Sequence, residues 1–505
     1  MSDRTADGGP RHFARLGFAL SLSLLLAGCT LGPDFERPQA PEAKGYVAEG
    51  KQDGAAVASD GIRQKLLQGK DVPGEWWRLF RSPALNRLIE KALKRSPDLQ
   101  AASAALREAR ENAVAEESGL FPSISANGNG LRQKTAGALF GNPNFSGTTF
   151  TLYNASVKVS YTLDVFGAIR RTIEAFNAQA EYQQYQLQGA VLSLSSNLAT
   201  TAIREASLRG QIAATEEVMA AQQQQLDLIA RQVDLGAASQ LDLLSQRTAL
   251  EQTRASLPPL RQQLAQARHA LRVLAGDFPS DDLAAQFNLS DLRLPQDLPL
   301  SLPSKLVEQR PDVRAQESLL HAASAQIGVA TAHLLPDFTL EASAGTIATK
   351  MGDLFMPGSG IWNTGLNILQ PVFHGGELFH KREAAIAAYE QAAAQYRSTV
   401  LQALQNVADT LRALQNDAAT LAAQQAAEQS ASETWQLAQA QYATGAISYL
   451  STLKAQSDYQ QSRIGRVQAE AARLADTAAL FQALGGGWWN RADPALSLAA
   501  PAVPD

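Results

Sequence analysis

Two uninterrupted helical stretches constrain this chain more than any other feature. The first is predicted over residues 169–235 and the second over about 376–444, and neither contains a proline. At about 1.5 Å per residue, each would run for about 100 Å as one helix. A globule of this chain length would have a radius of gyration of only about 23 Å. The sequence therefore predicts an elongated molecule.

The two halves of the chain repeat the same order of elements. Pro97 recurs as Pro311, 214 residues later, and Gly236 recurs as Gly445, 209 residues later. Each half is predicted to hold a helix, a β-hairpin, a long helix, a turn at its tip and a returning helix. We assign a first repeat, a proline-rich linker, a second repeat and a tail to residues 83–276, 277–303, 304–487 and 488–505.

Between the helices the hydrophobic period changes to two, which predicts strands at 123–131, 153–164, 338–347 and 361–370. The segment 153–164 has one apolar face with Tyr153 and Tyr161 near its ends, and one polar face. This pattern is typical of a strand between lipid and water, although strands of soluble sandwiches also alternate. No later apolar run is long enough for a membrane helix, so a spanning part would be a barrel. Four strands are too few to close one, because membrane barrels start at about eight strands, so the barrel would be shared between subunits.

The long helix over 169–235 has two distinct surfaces. Its polar run 222–225 is interpreted as a solvated helix face. Its apolar residues follow near-heptad spacing, which predicts the seam of a left-handed coiled coil. The seam residues are Ile173, Phe176, Ala180, Leu187, Leu194 and Leu198.

The N-terminus carries the features of a secretory signal, which we assign to residues 1–28. A short apolar run follows Arg11 and Arg15 and ends in Leu-Ala-Gly-Cys, and Cys29 is the only cysteine. The run is too short to span a bilayer. Its end resembles a bacterial lipobox, in which cleavage leaves a lipid-modified cysteine, so diacylglycerol and an N-acyl chain are expected on Cys29. A cut at Ala-x-Ala-like residues or a buried free thiol are the alternatives.

Residues 29–82 are predicted to form an extended, lipidated arm that packs on a larger body. Trp76 and Trp77 lie near its end and are interpreted as aromatic anchors of the arm against a helix. A ligand pocket at the two tryptophans is the alternative.

Motifs for catalysis are absent from the chain. It has no phosphate-binding loop, dinucleotide fingerprint, paired CxxC, HExxH or nucleophile elbow. His374 and His380 are six residues apart, which suits no helical metal pair. The net charge of -5 supplies no basic surface for nucleic acid. We therefore expect no enzyme, no cofactor beyond the lipid on Cys29 and no nucleic-acid partner.

Several segments together resemble the outer-membrane factors of tripartite efflux pumps, the TolC- and OprM-like channels, and most closely their lipoprotein branch. The resemblance rests on the lipobox at Cys29, the pair Trp76-Trp77, the segments 302–304, 310–314 and 335–338, and the residues after Gly236 and Gly445. It covers nearly the whole mature chain.

The resemblance implies an α+β membrane channel. Three chains would form a twelve-stranded β-barrel in the outer membrane, continuous with a twelve-helix α-barrel in the periplasm, and the arm would pack on the equatorial region. The implied partners are two further copies of the chain, outer-membrane lipid, a periplasmic membrane-fusion adaptor and an inner-membrane transporter of the RND type. The chain would be lipid-anchored in the outer membrane, as Thr30 after the cysteine also favours, and would extend into the periplasm.

The resemblance also implies a gate at the periplasmic tip turns. Gly236 and Gly445 would end the long helices, because a left-handed residue there favours glycine. Tyr442 would bond Asp242 and hold the tip shut. Leu450, with Leu241 beside it in the equivalent turn, would form an apolar constriction that opposes wetting. Simple tip packing by the two leucines is the alternative.

The tip departs from the family pattern at three positions. Ser451 and Lys454 stand where relatives often carry acidic rings, and Ile447 stands where some carry a locking arginine. We therefore expect weaker cation selectivity than in acidic-ring relatives.

The sequence thus predicts a passive exit duct for drugs or other small toxic compounds. A duct for type I protein secretion is a rival within the same class. A structural coiled-coil lipoprotein of the envelope is a rival from another class, and the alternating strands count against it.

Overall fold

The computed structural model describes residues 30–41, 43, 45–46, 55–56, 64–136, 147–282 and 285–491. The predicted signal segment 1–28, the lipidation candidate Cys29 and the tail residues 492–505 lie outside the described residues.

Helices account for most of the described chain. They are α1 (Pro83–Arg95), α2 (Pro97–Glu117), α3 (Ala168–Asp234), α4 (Gln240–Leu274), α5 (Pro303–Gln309), α6 (Pro311–Ala332), α7 (Glu377–Ala443) and α8 (Tyr449–Ala483). Among the helices of the described ranges, none is both long and apolar enough to cross a bilayer.

The strands form two sheets. They are β1 (Ala55–Ala56), β2 (Gln64–Gln68), β3 (Ser123–Thr135), β4 (Thr148–Leu163), β5 (Asp297–Leu300), β6 (Asp337–Ala348) and β7 (Gly360–Leu369).

The predicted duplication is visible in the order of elements. The succession α2, β3, β4, α3, α4 returns as α6, β6, β7, α7, α8. The helices α3 and α7 have 67 residues each, and α4 and α8 have 35 each. The predicted long helices are therefore confirmed to within one residue at each end.

The larger sheet is antiparallel in the order β3-β4-β6-β7. The two hairpins meet at β4 and β6, where Tyr161 pairs with Leu340. The four predicted strands are therefore confirmed, with β3 and β7 at the two edges of the sheet within the described residues. The smaller sheet, in the order β1-β2-β5, was not predicted. Its parallel pair sets Leu66 of the arm opposite Leu298 of the linker.

The chain divides into two compact units. One comprises Met1–Arg37, Arg107–Tyr182 and Glu317–Gln395, and it holds the larger sheet. The other comprises Pro38–Leu106, Gln183–Gln316 and Tyr396–Asp505, and it holds the smaller sheet and both helix turns.

An aromatic cluster in the second unit anchors the arm. Trp76, Trp77 and Phe80 are buried, and the Trp76 ring stacks on Phe481 of α8 with centroids 5.4 Å apart. Aromatic pairs of this geometry add to the apolar burial. The interpretation of the two tryptophans as anchors is confirmed.

The predicted coiled-coil seam is buried over most of its length. Ala180, Leu187, Leu194 and Leu198 are all less than a tenth exposed. The interpretation of the glutamine run as a solvated face is wrong for Gln222, which is buried. Its backbone oxygen accepts a hydrogen bond from Gln246 of the neighbouring helix α4.

Candidate functional site

Both long helices end on a glycine that allows a sharp turn. Gly236 and Gly445 have φ values of 73° and 71°, a region that L side chains with a Cβ rarely adopt. The N–H groups of Ala237 and Ala446 reach back to the carbonyls of residues 232 and 441, at 2.7 and 2.9 Å. These bonds satisfy helix carbonyls that would otherwise lack donors. The two predicted tip glycines therefore have the backbone geometry expected of them.

A serine begins the returning helix after each turn. The Oγ of Ser239 accepts a hydrogen bond from the Asp242 N–H at 3.1 Å, and the Asp242 carboxylate accepts from the Ser239 N–H at 3.3 Å. This reciprocal pair is a capping box. In the second turn Ser448 accepts from the Ser451 N–H at 3.4 Å. The acidic residue of the first turn is thus replaced by a neutral one in the second.

The two candidate constriction residues occupy equivalent places. Leu241 and Leu450 are each the second residue of the returning helix, and within one chain they are 72% and 69% exposed. Lys454 lies one turn beyond Leu450 and forms an ion pair with Asp458 on the same helix. Leucines that are this exposed are available to pack against another chain or to line a passage.

The expected bond between Tyr442 and Asp242 is wrong for this structure. Tyr442 donates its hydroxyl instead to Oε1 of Gln232, at a long 3.4 Å. The carboxylate of Asp242 is already engaged by Ser239, whose hydroxyl donates to it at 2.7 Å. Local capping therefore competes successfully with the bond between helices.

A buried hydrogen-bond chain that the sequence reasoning missed joins three helices at the tip. Tyr449 of α8 donates its hydroxyl to Oε1 of Gln246 in α4. Gln246 is fully buried, and its Nε2 donates to the backbone oxygen of Gln222 in α3 at 2.6 Å. The signal was available, because Gln246, Leu250, Thr253 and Leu257 follow heptad spacing that marks Gln246 as a core position.

Burial and neighbouring groups raise the pKa of both tip tyrosines. Their rings meet edge to face with centroids 5.2 Å apart. Burial raises the pKa of Tyr449, and the neighbouring Tyr442 and Asp242 raise it further. Burial also raises the pKa of Tyr442, with a second contribution from the negative charge of Asp242. Asp242 therefore acts on Tyr442 through its electrostatic field without a hydrogen bond.

A carboxyl pair lies between the helices α7 and α8. Burial, together with the hydrogen bond and charge of the facing Asp476, raises the pKa of Asp417 to about 7, although the nearby Arg473 acts in the opposite direction. Because two carboxylates in contact repel each other, such a pair holds a proton near neutral pH. The pair is a titratable element where α7 and α8 face each other.

The chain just after Cys29 is clamped to the first compact unit. Arg171 is almost fully buried and donates to the Leu31 oxygen at 3.1 Å and to the Asp34 carboxylate at 2.6 Å. Gly32 lies so close to Gly328 that a Cβ on Gly32 would come within 2.4 Å of the Gly328 Cα. The arm is therefore held immediately beyond the candidate lipidation site.

Comparison with known families gives one match that covers both repeats. The sequence profile described as "Outer membrane efflux protein" matches residues 88–277 and 302–486. The two matched ranges contain both tip turns, both hairpins and both long helices.

Curated relatives match along nearly their whole length. The toluene efflux pump outer membrane protein TtgC of Pseudomonas putida is 31% identical over 490 residues, which is 95% of this chain and 97% of the relative. The cation efflux system protein CusC of Escherichia coli is 29% identical over 472 residues, covering 92% and 97% of the two chains. Among solved structures, the outer-membrane channel OprN superposes with a TM-score of 0.81 at 26% identity, covering 91% of this chain and 100% of that one.

Proposed function

Because the chain belongs to the outer membrane efflux protein family, we propose that it forms the passive outer-membrane exit duct of a tripartite efflux system. The match over both structural repeats carries this proposal. Its relatives are outer-membrane components of efflux pumps, and the family is one of channels, not of enzymes. Transport through such a duct needs no catalytic residue, because the driving force is supplied elsewhere in the pump.

We propose a homotrimer. The four-stranded sheet has two edge strands, β3 and β7, which pair with no further strand within the described residues. Unpaired edges favour pairing with another chain. Three copies would bring β3 of one chain beside β7 of the next and supply the twelve strands of a closed barrel. The helices α3, α4, α7 and α8 of three copies would supply the twelve helices of a periplasmic tunnel.

The gate is proposed at the two helix turns. Three copies of the exposed Leu450, with Leu241 in the equivalent turn, would narrow the tunnel with an apolar ring that opposes wetting. Tyr442, Asp242 and Lys454 would set the charge and packing around this ring. Since Lys454 forms an ion pair with Asp458 and Ser451 is neutral, we expect weaker cation selectivity than a ring of carboxylates would give. Reversal potentials in a salt gradient would measure this selectivity.

The anchoring and the partners follow from the same proposal. A lipid on Cys29 would attach the chain to the outer membrane beside the clamped arm. A periplasmic membrane-fusion adaptor and an inner-membrane transporter of the RND type would complete the system. The relatives are named for toluene and for a cation, so we propose small toxic compounds as the cargo. The inner-membrane transporter would select which of these compounds enter the duct.

Single-channel conductance of the purified protein in a planar bilayer tests the proposal. We expect a small wild-type conductance that rises several-fold in Leu450→Gly. Leu437→Gly is the matched control, because Leu437 is also an exposed leucine on a helix near the same turn. Equal and large conductances in all three proteins would place the gate elsewhere. No conductance from inserted protein would favour the structural lipoprotein.

An export assay in a deletion strain separates the remaining rival. The proposed duct predicts increased sensitivity to small toxic compounds with normal protein secretion. Loss of a secreted protein with unchanged drug sensitivity would favour the type I secretion duct.

A further inference from the structure

A cavity of about 610 Å³ lies in the second compact unit, beside the aromatic cluster. Its walls come from the segment that follows Trp77, from the linker before β5 and from the facing sides of α7 and α8. The lining residues are Arg78, Leu79, Arg81, Leu292, Arg293, Leu294, Pro295, Gln296, Asp297, Leu421, Glu470, Arg473 and Leu474. A volume of this size suits a small organic molecule better than a single inorganic ion.

The lining of the cavity is unusually basic for a chain with a net charge of -5. Four arginines line it, against the two carboxylates of Asp297 and Glu470. Glu470 is already paired with Arg466 at 2.9 Å. Arg78 is paired with Glu75 and Glu90 at 2.8 and 2.9 Å. Over the ranges that the structure describes, Arg81 and Arg293 have no ion-pair partner, so the mouth of the cavity carries an excess of positive charge.

A backbone hydrogen bond brings the two chain segments that carry these arginines together. The Arg293 N–H donates to the Phe80 oxygen at 2.9 Å, which ties the linker to the residue before Arg81. Arg81 has a φ of 52° and is the single non-glycine residue with a positive φ among those described. Glycine or asparagine would adopt this conformation at lower cost. Backbone strain of this kind is most easily explained when the side chain has a role that glycine cannot supply.

The inner part of the cavity combines apolar walls with one buried cation. Arg473 is 1% exposed, and its Nε donates to Oε1 of Gln64 at 3.3 Å. Gln64 in turn donates to Oγ1 of Thr477 and to the Pro295 oxygen, both at 3.1 Å. Each wall of the cavity also contributes at least one leucine to the lining. The cavity therefore combines leucine side chains and a buried guanidinium group with the exposed arginines Arg81 and Arg293.

We propose that this cavity binds a small organic anion, with its carboxylate or phosphate held by Arg81 and Arg293 and its apolar body between the leucines. Planar guanidinium groups pair with carboxylate and phosphate oxygens through two parallel hydrogen bonds, which lysine cannot match. The site is formed by the arm, the linker and the helices α7 and α8, and it is separate from the tip turns. The proposal stands independently of the duct, because binding here does not require that the protein conducts.

Ligand-observed fluorine NMR on the full-length protein in amphipol tests the site. The probe is trifluoromethylbenzoate, and the matching trifluoromethylbenzamide is its neutral counterpart. We expect the benzoate to bind at least about tenfold more tightly than the benzamide, because a charge-assisted hydrogen bond is about twice as strong as a neutral one. We also expect benzoate affinity to fall about tenfold in Arg81→Gly and in Arg293→Gln, and further in the double variant.

Two controls separate loss of the site from loss of the fold. Arg87→Gln removes another exposed arginine of the same region that does not line the cavity, and it should bind the benzoate as the wild type does. Arg81→Gly relieves an unfavourable φ, so its thermal midpoint should be equal to or above that of the wild type. Equal binding of benzoate and benzamide, unchanged affinity in the double variant, or no wild-type binding at millimolar probe would each overturn the proposal.

Discussion

Removing the hydroxyl group of Tyr449 tests whether the buried hydrogen-bond chain holds the helix tips together. The substitution Tyr449→Phe keeps the ring that packs on Tyr442, so the aromatic contact at 5.2 Å is preserved. It leaves Oε1 of Gln246 without its donor. Because Gln246 is fully buried, no water replaces the lost hydroxyl as long as the tip stays closed.

The size of the effect follows from this burial. A buried acceptor left without a donor costs about 1–3 kcal/mol. This cost destabilises the closed tip, in which α8 packs against α4. The open tip is not destabilised, because there Gln246 can bond to water. A free-energy change of this size alters an equilibrium by roughly 5- to 150-fold. The population of open tips should rise by that factor in each chain.

Amide hydrogen exchange measures the opening directly. We expect exchange in residues 240–250 and 449–456 to accelerate by roughly 5- to 150-fold in Tyr449→Phe, while the aromatic cluster around Trp76 keeps its protection. Tyr442→Phe is the matched control. Its hydroxyl makes only the long 3.4 Å bond to Gln232, so about a twofold change or less is expected.

Two results would refute this reasoning. Unchanged tip exchange in Tyr449→Phe would show that the hydroxyl does not contribute to tip closure. Equal acceleration in Tyr449→Phe and Tyr442→Phe would show that burial of Gln246 does not set the cost.

Three further perturbations test other parts of the structure. Since the folded-state pKa of Asp417 is raised to about 7 from 3.8, its contribution to stability is present below the lower value and lost as pH rises toward the upper one. Asp417→Asn should therefore raise the free energy of unfolding near pH 8 by about 1–2 kcal/mol, after allowing for solvent screening, and flatten its pH dependence between about pH 4 and 7. Denaturant titrations check this, and a wild-type pH slope in the variant would contradict it. Gly445→Ala should cost about 1–2 kcal/mol, because φ is 71° there although no atom would meet the added Cβ. Gly352→Ala, which is equally open but has no positive φ, should be close to neutral in the same thermal melts. Arg171→Leu removes the hydrogen bonds that Arg171 donates to Leu31 and Asp34, so limited proteolysis should cut residues 30–37 faster than in the wild type, and equal rates would contradict the clamp.

The features that could be predicted from the sequence depend on local chemistry. Proline-free helical periodicity located α3 and α7, and two-residue alternation located the four strands of the larger sheet. Gly236 and Gly445 were recognisable because a helix end in the left-handed region favours one residue type. In each case the signal lies within a few residues of the feature.

The features that could not be predicted depend on which surfaces face each other. The bond of Tyr442 was assigned to Asp242, although the spacing of Ser239 and Asp242 already matched a capping box that would occupy the carboxylate. The Tyr449 to Gln246 bond needs the rotation of two helices about their axes, which periodicity does not specify to that accuracy. The parallel pair of β2 and β5 joins segments more than two hundred residues apart, and neither strand has a strong pattern of its own.

The clamp on the arm has a mechanical consequence for anchoring. Thr30 rests against Gly167, where an added Cβ would come within 2.9 Å of the Thr30 Cα, and the Leu31 N–H donates to the Phe166 oxygen at 3.2 Å. A lipid on the preceding residue, Cys29, would thus be tethered by a single peptide bond to backbone that is already immobilised. Because this attachment contains no flexible linker, force applied to the acyl chains would be transmitted directly to the junction between β4 and α3. A few residues inserted after Cys29 would replace this rigid attachment with a flexible linker. Force on the lipid would then no longer be transmitted directly to β4 and α3.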